Sequence, residues 1–288
     1  MSPAFTLSNG VAIPGIGIGT WQIPDGAATY DAVAFALANG YRHVDTARAY
    51  GNEASVGRAL RDSRLPRDEV FITSKLPAEI KDAAAARASF EATMQALQLD
   101  RLDLYLIHAP WPWNRRGQDH ARQNSEVWRV FENLYEAGRV RAIGVSNFDV
   151  NDLRKIMADC RVAPMVDQIK FFIGNTQHEL VDFCRAHDIQ VEGYSPLATG
   201  ALLGNADVRA LAERHGVSVA QICIRYVLQK GVVALPKSVT PARIIQNRQV
   251  DFQIGAEDMD RLDRLTATVA QARPPSLLSR LKARIRGR

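Results

Sequence analysis

Four side chains with complementary acid–base chemistry stand at or just beyond the ends of short β-rich runs. Asp45 closes YRHVD, Lys75 closes VFITSK, His108 closes LDLYLIH, and Tyr50 follows Asp45 by five residues in VDTARAYGNE. Each has an ordinary reading when taken alone. An Asp ahead of a helix is an N-cap, a Lys at a strand end keeps its head in solvent, a His is a hydrogen-bonded core residue and a loop Tyr packs. Placed together they form a proton-delivery set. A phenol titrates at about 10, and a neighbouring ammonium favours the phenolate and lowers that value. Lys75 is the candidate ammonium, Asp45 the carboxylate that keeps it charged when buried, and His108 a group that orients a substrate oxygen. Lowering the Tyr pKa by about two units corresponds to about 2.7 kcal/mol. The product is a general acid aimed at a carbonyl oxygen. No side chain carries hydride, so reduction needs a nicotinamide or flavin.

The elements that must bring these residues together are legible as an alternation. Asn9-Gly10 lies between two short apolar stretches, which is a hairpin signal. Strand-like runs then begin at residues 16, 41, 70, 102, 140, 164, 189 and 231, separated by amphipathic stretches such as DAAAARASFEATMQALQ and SEVWRVFENLYEAG. Repeating strand–helix units call for parallel pairing. The alternatives are an open doubly wound sheet and a closed barrel, and eight strands favour an α/β fold of the (β/α)8 TIM-barrel type with an N-terminal β-hairpin. The expected organisation is one barrel domain over residues 1–272 and a basic tail over 273–288. In a barrel, the strand C-termini share one mouth. That places Ser146, Asn147, Gln168, Tyr194, Ser195, Lys237 and Ser238 beside the first four residues.

A dinucleotide-binding glycine fingerprint is not matched. GIGIGTW has G-x-G-x-G spacing, and Trp21 and Pro24 follow where a helix should start. The glycines fit close approach of a barrel strand to a ligand. ALPKSVTPARIIQN is the better anion segment: a strand ends, Lys237 and Ser238 follow, and Thr240-Pro241 opens a helix with Arg243 in its first turn. Lys and Arg together suit a phosphate monoester such as the 2′-phosphate of NADPH. A plain helix cap with a solvated basic turn remains the other reading.

The 288 residues are 47% hydrophobic and 23% charged, an ordinary globular balance. The net charge of +5 is concentrated: residues 273–288 hold six Lys or Arg and no acid, leaving the rest near neutral. Nucleic acid is therefore not an expected partner. Cys160, Cys184 and Cys223 are widely spaced and odd in number, and read as reduced thiols of a cytoplasmic protein. No apolar run reaches the roughly 20 residues of a membrane span, and the first ten residues lack the regions of a signal peptide.

Taken together, GIGTWQ (17–22), YRHVDTARAYGNE (41–53), FITSKL (71–76), LDLYLIHAPWP (102–112), GRVRAIGVSNF (138–148), VDQI (166–169), YSPL (194–197) and LPKSVTPARIIQN (235–247) resemble the aldo-keto reductases, over roughly residues 5–266. The resemblance implies a (β/α)8 barrel that takes NADPH without a Rossmann domain and reduces small aldehydes and ketones. It makes Tyr50 the proton donor, with Asp45, Lys75 and His108 completing a catalytic tetrad and no metal. Cofactor contacts are implied for Gly19, Thr20 and Trp21, and for Ser146, Asn147 and Gln168 around the carboxamide. Tyr194 matches the residue stacked on the nicotinamide, and Ser195, Pro196 and Leu197 those beside the pyrophosphate. Lys237, Ser238, Val239, Thr240, Arg243, Gln246 and Asn247 match the segment around the adenosine 2′-phosphate. Trp21, Pro77 and Trp111 are expected in the substrate pocket.

The chain departs from the commonest family pattern at Pro77, Ala109, Gln246 and VDQIKFF (166–172), all outside the tetrad. Arg115, Arg116 and Trp113, in the loop after His108, could favour an anionic sugar-acid substrate, or the loop is merely solvated. The tail LLSRLKARIRGR has apolar residues at helical spacing, and reads as an amphipathic helix for an anionic surface, a solvated tail or a barrel-packing end. A monomer is expected. A metal-dependent hydrolase is the competing enzyme class, but the six histidines form no H-x-H or H-E-x-x-H pair. A non-catalytic reductase-like subunit is the competing binding class.

Overall fold

The Asn9-Gly10 turn folds as the sequence predicts. Gly10 adopts φ 83°, and strands β1 (Ala4–Thr6) and β2 (Ala12–Pro14) pair antiparallel around it. The structure, a computed structural model, describes residues 4–265; the basic tail at 273–288 lies outside the described residues. Asn9 donates to the Arg141 carbonyl at 2.9 Å, and Leu7 and Ile13 are buried, so the hairpin covers the end of the barrel opposite the mouth.

Eight parallel strands follow: β3 (Ile18–Gly19), β4 (His43–Asp45), β5 (Phe71–Leu76), β6 (Leu102–Ile107), β7 (Val140–Ser146), β8 (Val166–Lys170), β9 (Gln190–Tyr194) and β10 (Val233–Leu235). They pair in sequence order from β3 to β10. Closure comes from the residues around β3, where Ile16 bridges Ala234 and Gly17 N donates to Ala234 O at 3.0 Å. The doubly wound alternative is thereby excluded. All six residues of β5 and of β6 are buried, as expected for strands covered on both faces.

The surrounding helices are α1 (Ala27–Ala38), α2 (Glu53–Asp62), α3 (Ala83–Leu97), α4 (Ala121–Glu136), α5 (Val150–Met157), α6 (His178–Ala186), α7 (Ala206–His215), α8 (Val219–Gln229), α9 (Pro241–Arg248) and α10 (Ala256–Asp263). Their ends follow local chemistry. Asp82 caps α3 by accepting from Ala85 N, and α5 and α8 start with capping boxes, Asp149 with Asp152 and Ser218 with Gln221. Two helices, α7 and α10, were not among the amphipathic stretches read from the sequence. The first is nonetheless signalled by Asn205, which caps it, and by Gly216 at φ 64° after its end.

Helix α2 packs onto the C-terminal end of α3 through Gly57, where an added Cβ would collide with the Leu97 carbonyl oxygen. Backbone on one side and helix on the other leave nowhere for a methyl group to go. Gly57→Ala is therefore expected to destabilise the fold by about 2 kcal/mol despite the better helix propensity of Ala. Urea unfolding that gives an unchanged or raised midpoint would contradict this packing.

Candidate active site

Side chains alternate across a strand, so His43 and Asp45 of β4, Thr73 and Lys75 of β5, Gln168 of β8, and Glu192 and Tyr194 of β9 all turn inward. At the mouth, Lys75 is fully buried and donates from Nζ to Asp45 Oδ2 at 2.7 Å, to the Thr46 carbonyl at 2.8 Å and to Tyr50 OH at 3.4 Å. Its ammonium also lies 5.1 Å from the centre of the Tyr50 ring. The His108 ring stands edge-on to Tyr50 at 5.7 Å. The four residues that the sequence places at or just beyond strand ends are thus brought together, with Lys75 bridging Asp45 and Tyr50 and His108 packed on Tyr50.

The loop carrying Tyr50 is pinned from beneath. Residues Arg48–Tyr50 form a short 3-10 turn that ends at Gly51, whose φ of 69° a larger side chain would resist. Asn52 precedes α2 but does not cap it with its side chain. Its amide instead donates to the carbonyls of Thr20 and Ile23, both at 3.0 Å, and accepts from Thr46 at 3.0 Å, holding the loop that bears Trp21. Buried Glu53 accepts from Ser74 at 2.6 Å and lies 3.5 Å from Arg48.

Burial reshapes the electrostatics. Burial works to lower the Lys75 pKa, but Asp45, Tyr50 and Glu192 outweigh it, and Lys75 stays charged. The expected drop in the Tyr50 pKa is not found: burial pushes the phenol up, and the opposing pull of Lys75 only partly offsets it. The competing cost is desolvation of the phenolate, which the residue types alone do not disclose. His108 is pushed down to about 3 by burial and by Lys75, so it works as a neutral imidazole. Tyr194, pushed up to about 12 by burial, remains a phenol.

A cavity of about 720 Å³ opens over these groups and is lined by Gly19, Trp21, Asp45, Tyr50, His108, Ser146, Asn147, Gln168, Tyr194, Ser195 and Lys237, with Glu79, Trp113, Arg116 and Lys170 among the rest of its wall. Ser146 donates to Gln168 O at 2.8 Å, Asn147 donates to Ser146 Oγ at 2.9 Å, and Tyr194 OH donates to Asn147 Oδ1 at 2.7 Å. Asn147 and Ser195 leave their strands at φ 61° and 55°, and so turn the chain into the mouth. Thr20 is buried behind Trp21, with its hydroxyl on the Asp45 carbonyl. Pro196 and Leu197 follow Ser195 without lining the cavity, which Thr199 meets again.

Of the residues expected to meet substrate, Trp21 lines the cavity and is about half exposed. Trp111 sits behind Trp113, at 5.2 Å ring to ring, with the Arg116 guanidinium 4.7 Å over it. Trp113 in turn packs edge-on to His108 at 5.6 Å. Pro77 lies just past β5, and Glu79 two residues later reaches the wall. Arg115 is exposed in the short 3-10 turn formed by Trp113–Arg115.

Lys237, Val239, Thr240, Arg243 and Gln246 are exposed around the start of α9, while Asn247 is buried on its inner face. Ser238 Oγ accepts from Thr240 N at 3.1 Å. No ion pair joins Lys237 or Arg243 to an acid among the described residues, and the two flank the start of α9 in the chain. No group of three potential metal ligands occurs among the described residues.

Sequence reasoning missed His43, Thr73 and Glu192 below the mouth, and Glu79 and Lys170 on the cavity wall. Each of the first three lies two positions before a residue of the mouth, and the period of two along a strand is the signal that would have found them.

The model of the aldo/keto reductase family matches residues 15–267. The glyoxal reductase of Bacillus subtilis is 44% identical over 260 residues, covering 90% of this chain and 91% of that protein. The crystal structure of an aldo/keto reductase from Brucella melitensis superposes with a TM-score of 0.86 at 39% identity, covering 92% of this chain and all of that one. A second aldo-keto reductase, solved in complex with NADPH, superposes with a TM-score of 0.85 at 32% identity over 96% of this chain and 90% of that one.

Proposed function

Because the chain belongs to the aldo/keto reductase family and is an oxidoreductase acting on carbonyl groups, we propose that it uses NADPH to reduce small aldehydes and ketones, with Tyr50 as proton donor. The single observation carrying this reading is the buried Asp45–Lys75–Tyr50 chain opening on one cavity with neutral His108. The cavity residues also fit the cofactor. Gln168 places its NH₂ between two carboxyl groups, which leaves its Oε1 as an acceptor for a carboxamide. Asn147 and Ser146 stand beside it, and the Tyr194 ring offers an apolar face. Lys237 and Arg243, with no ion pair to an acid among the described residues, suit the 2′-phosphate. Bound there, the nicotinamide supplies the hydride.

In this reading the substrate oxygen sits between Tyr50 OH and the His108 ring. His108 donates a hydrogen bond and fixes the carbonyl plane. Tyr50 passes its proton to the oxygen as negative charge develops there, and Lys75 stabilises the phenolate left behind. Asp45 keeps Lys75 charged throughout. Trp21 and Trp113 give the cavity an apolar wall beside the reacting oxygen. The free thiols Cys160, Cys184 and Cys223 support a reducing, cytoplasmic setting, and a monomer is the simplest assembly.

The cofactor assignment is tested by Lys237→Ala/Arg243→Ala. This variant is expected to raise KM for NADPH by about tenfold or more, equivalent to about 1.4 kcal/mol, and to leave KM for NADH within about twofold. Equal losses with both cofactors would remove the 2′-phosphate reading.

A further inference from the structure

Below the mouth, the barrel interior holds a second carboxyl group, Glu192, that plays no part in the reaction as described above. It is fully buried on β9, in register with Gln168 on β8. The Gln168 amide donates from one nitrogen both to Asp45 Oδ2, at 2.8 Å, and to Glu192 Oε2, at 3.0 Å. An unbroken chain therefore runs from Glu192 through Gln168, Asp45 and Lys75 to Tyr50. We propose that Glu192 is a positioning residue for carbonyl reduction: through the shared amide it holds the chain that ends on Tyr50, and it carries a proton while the enzyme works. The inference rests on Tyr50 being the proton donor.

The geometry argues for the proton. The interior offers one ammonium for two carboxyl groups, and Lys75 makes its 2.7 Å contact with Asp45. The other oxygen of Glu192, Oε1, has no hydrogen-bond partner among the described residues. It lies 3.6 Å from His43 Nε2, which is engaged 3.1 Å away by Thr73 Oγ1. The charged or titratable groups facing Glu192 are His43 and Asp45 from β4 and Lys75 from β5; its hydrogen-bond partner Gln168 is neutral. Asp103 acts on His43 from further off and is itself held by Arg67 and Arg141. Burial, and then Asp45, push Glu192 up to about 8, while burial takes His43 down to about 4, so the pair is neutral at neutral pH.

The consequence is directional. Above its pKa, Glu192 adds a second negative charge beside Asp45. That charge raises the proton affinity of Lys75 and Tyr50 and makes Tyr50 a weaker acid. Tyr50 and Lys75 themselves titrate above their ordinary values, so of these three groups Glu192 is the first to lose its proton as pH rises.

The test is the pH profile of kcat/KM for an uncharged aldehyde at saturating NADPH, for wild type, E192Q and Y50F. E192Q keeps the acceptor for Gln168 and cannot ionise. The wild type should lose about fivefold through an ionisation near pH 8. E192Q should match it at neutral pH within about twofold and lack that step. Superimposable profiles, or a loss in E192Q that is equal at every pH, would overturn the proposal. Where E192Q does not fold, the ¹³C-carboxyl spectrum of glutamate-labelled wild type decides: one buried resonance should titrate near pH 8, and titration of every glutamate in the acid range refutes it. An active Y50F sinks the donor assignment itself, whereas an inactive Y50F with superimposed profiles for wild type and E192Q sinks only the role of Glu192.

Discussion

Tyr50→Phe should lower kcat for aldehyde reduction by roughly three orders of magnitude while NADPH binding stays within about twofold of wild type. The substitution removes one hydroxyl and keeps the ring that packs edge-on to His108. His108 cannot take over the proton transfer: burial holds it neutral to about pH 3, so at working pH it has only a very weakly acidic ring N–H to give. Lys75 is not a substitute either, because its ammonium lies inside the barrel, committed to Asp45 and the Thr46 carbonyl. Fluorescence titration with NADPH and steady-state kinetics separate the two effects. A variant retaining a tenth or more of wild-type kcat would show that protonation comes from another group or from water.

Lys75→Met should damage both activity and stability. Lys75 is fully buried and Asp45 is only 4% exposed, so the variant strands a carboxylate in the barrel with the Gln168 amide as its remaining side-chain donor. Breaking one half of a buried pair costs about 3–5 kcal/mol. The double variant Asp45→Asn/Lys75→Met removes the stranded charge and should recover most of that stability. Its activity should stay as low as that of the single variant, because the phenolate of Tyr50 has lost its counter-charge. Chemical denaturation of both variants alongside their kcat values checks this. Parallel recovery of stability and activity would reduce Lys75 to a packing role.

The strand ends were legible because the barrel imposes a simple grammar. Short β-rich runs carry a period of two, and turn or capping residues such as Asn9-Gly10, Asp82 and Asp149 bound them. The polar residue that closes each run then falls at one mouth. Harder to read were quantities set by depth. The rise rather than fall of the Tyr50 pKa depends on how completely the phenol is desolvated. The layer formed by His43, Thr73 and Glu192 hides inside runs that look uniformly structural. Asn52 sits where a helix cap belongs, yet its side chain is drawn to the Thr20–Ile23 loop by carbonyls about 30 residues earlier in the chain. The order of Trp111 and Trp113 behind and on the cavity wall depends on a 3-10 turn that no local periodicity announces.

Family membership defines the reaction class, and the arrangement at the mouth supports the proposed proton path. In the proposed function, substrate choice falls to the cavity wall lined by Trp21, Glu79, Trp113, Arg116 and Lys170, which combines one acid and two cations with two indole rings.

The most direct measurement follows the hydrogen itself. Purified wild-type protein is given NADPH deuterated at nicotinamide C4 together with an aldehyde, in the presence of a metal chelator, and the alcohol is analysed by mass spectrometry and NMR. The predicted result is stoichiometric NADPH oxidation, with deuterium on the former carbonyl carbon and a solvent-derived proton on oxygen. No NADPH oxidation with any of a broad set of aldehydes and ketones, or product formed without deuterium transfer, would contradict the account.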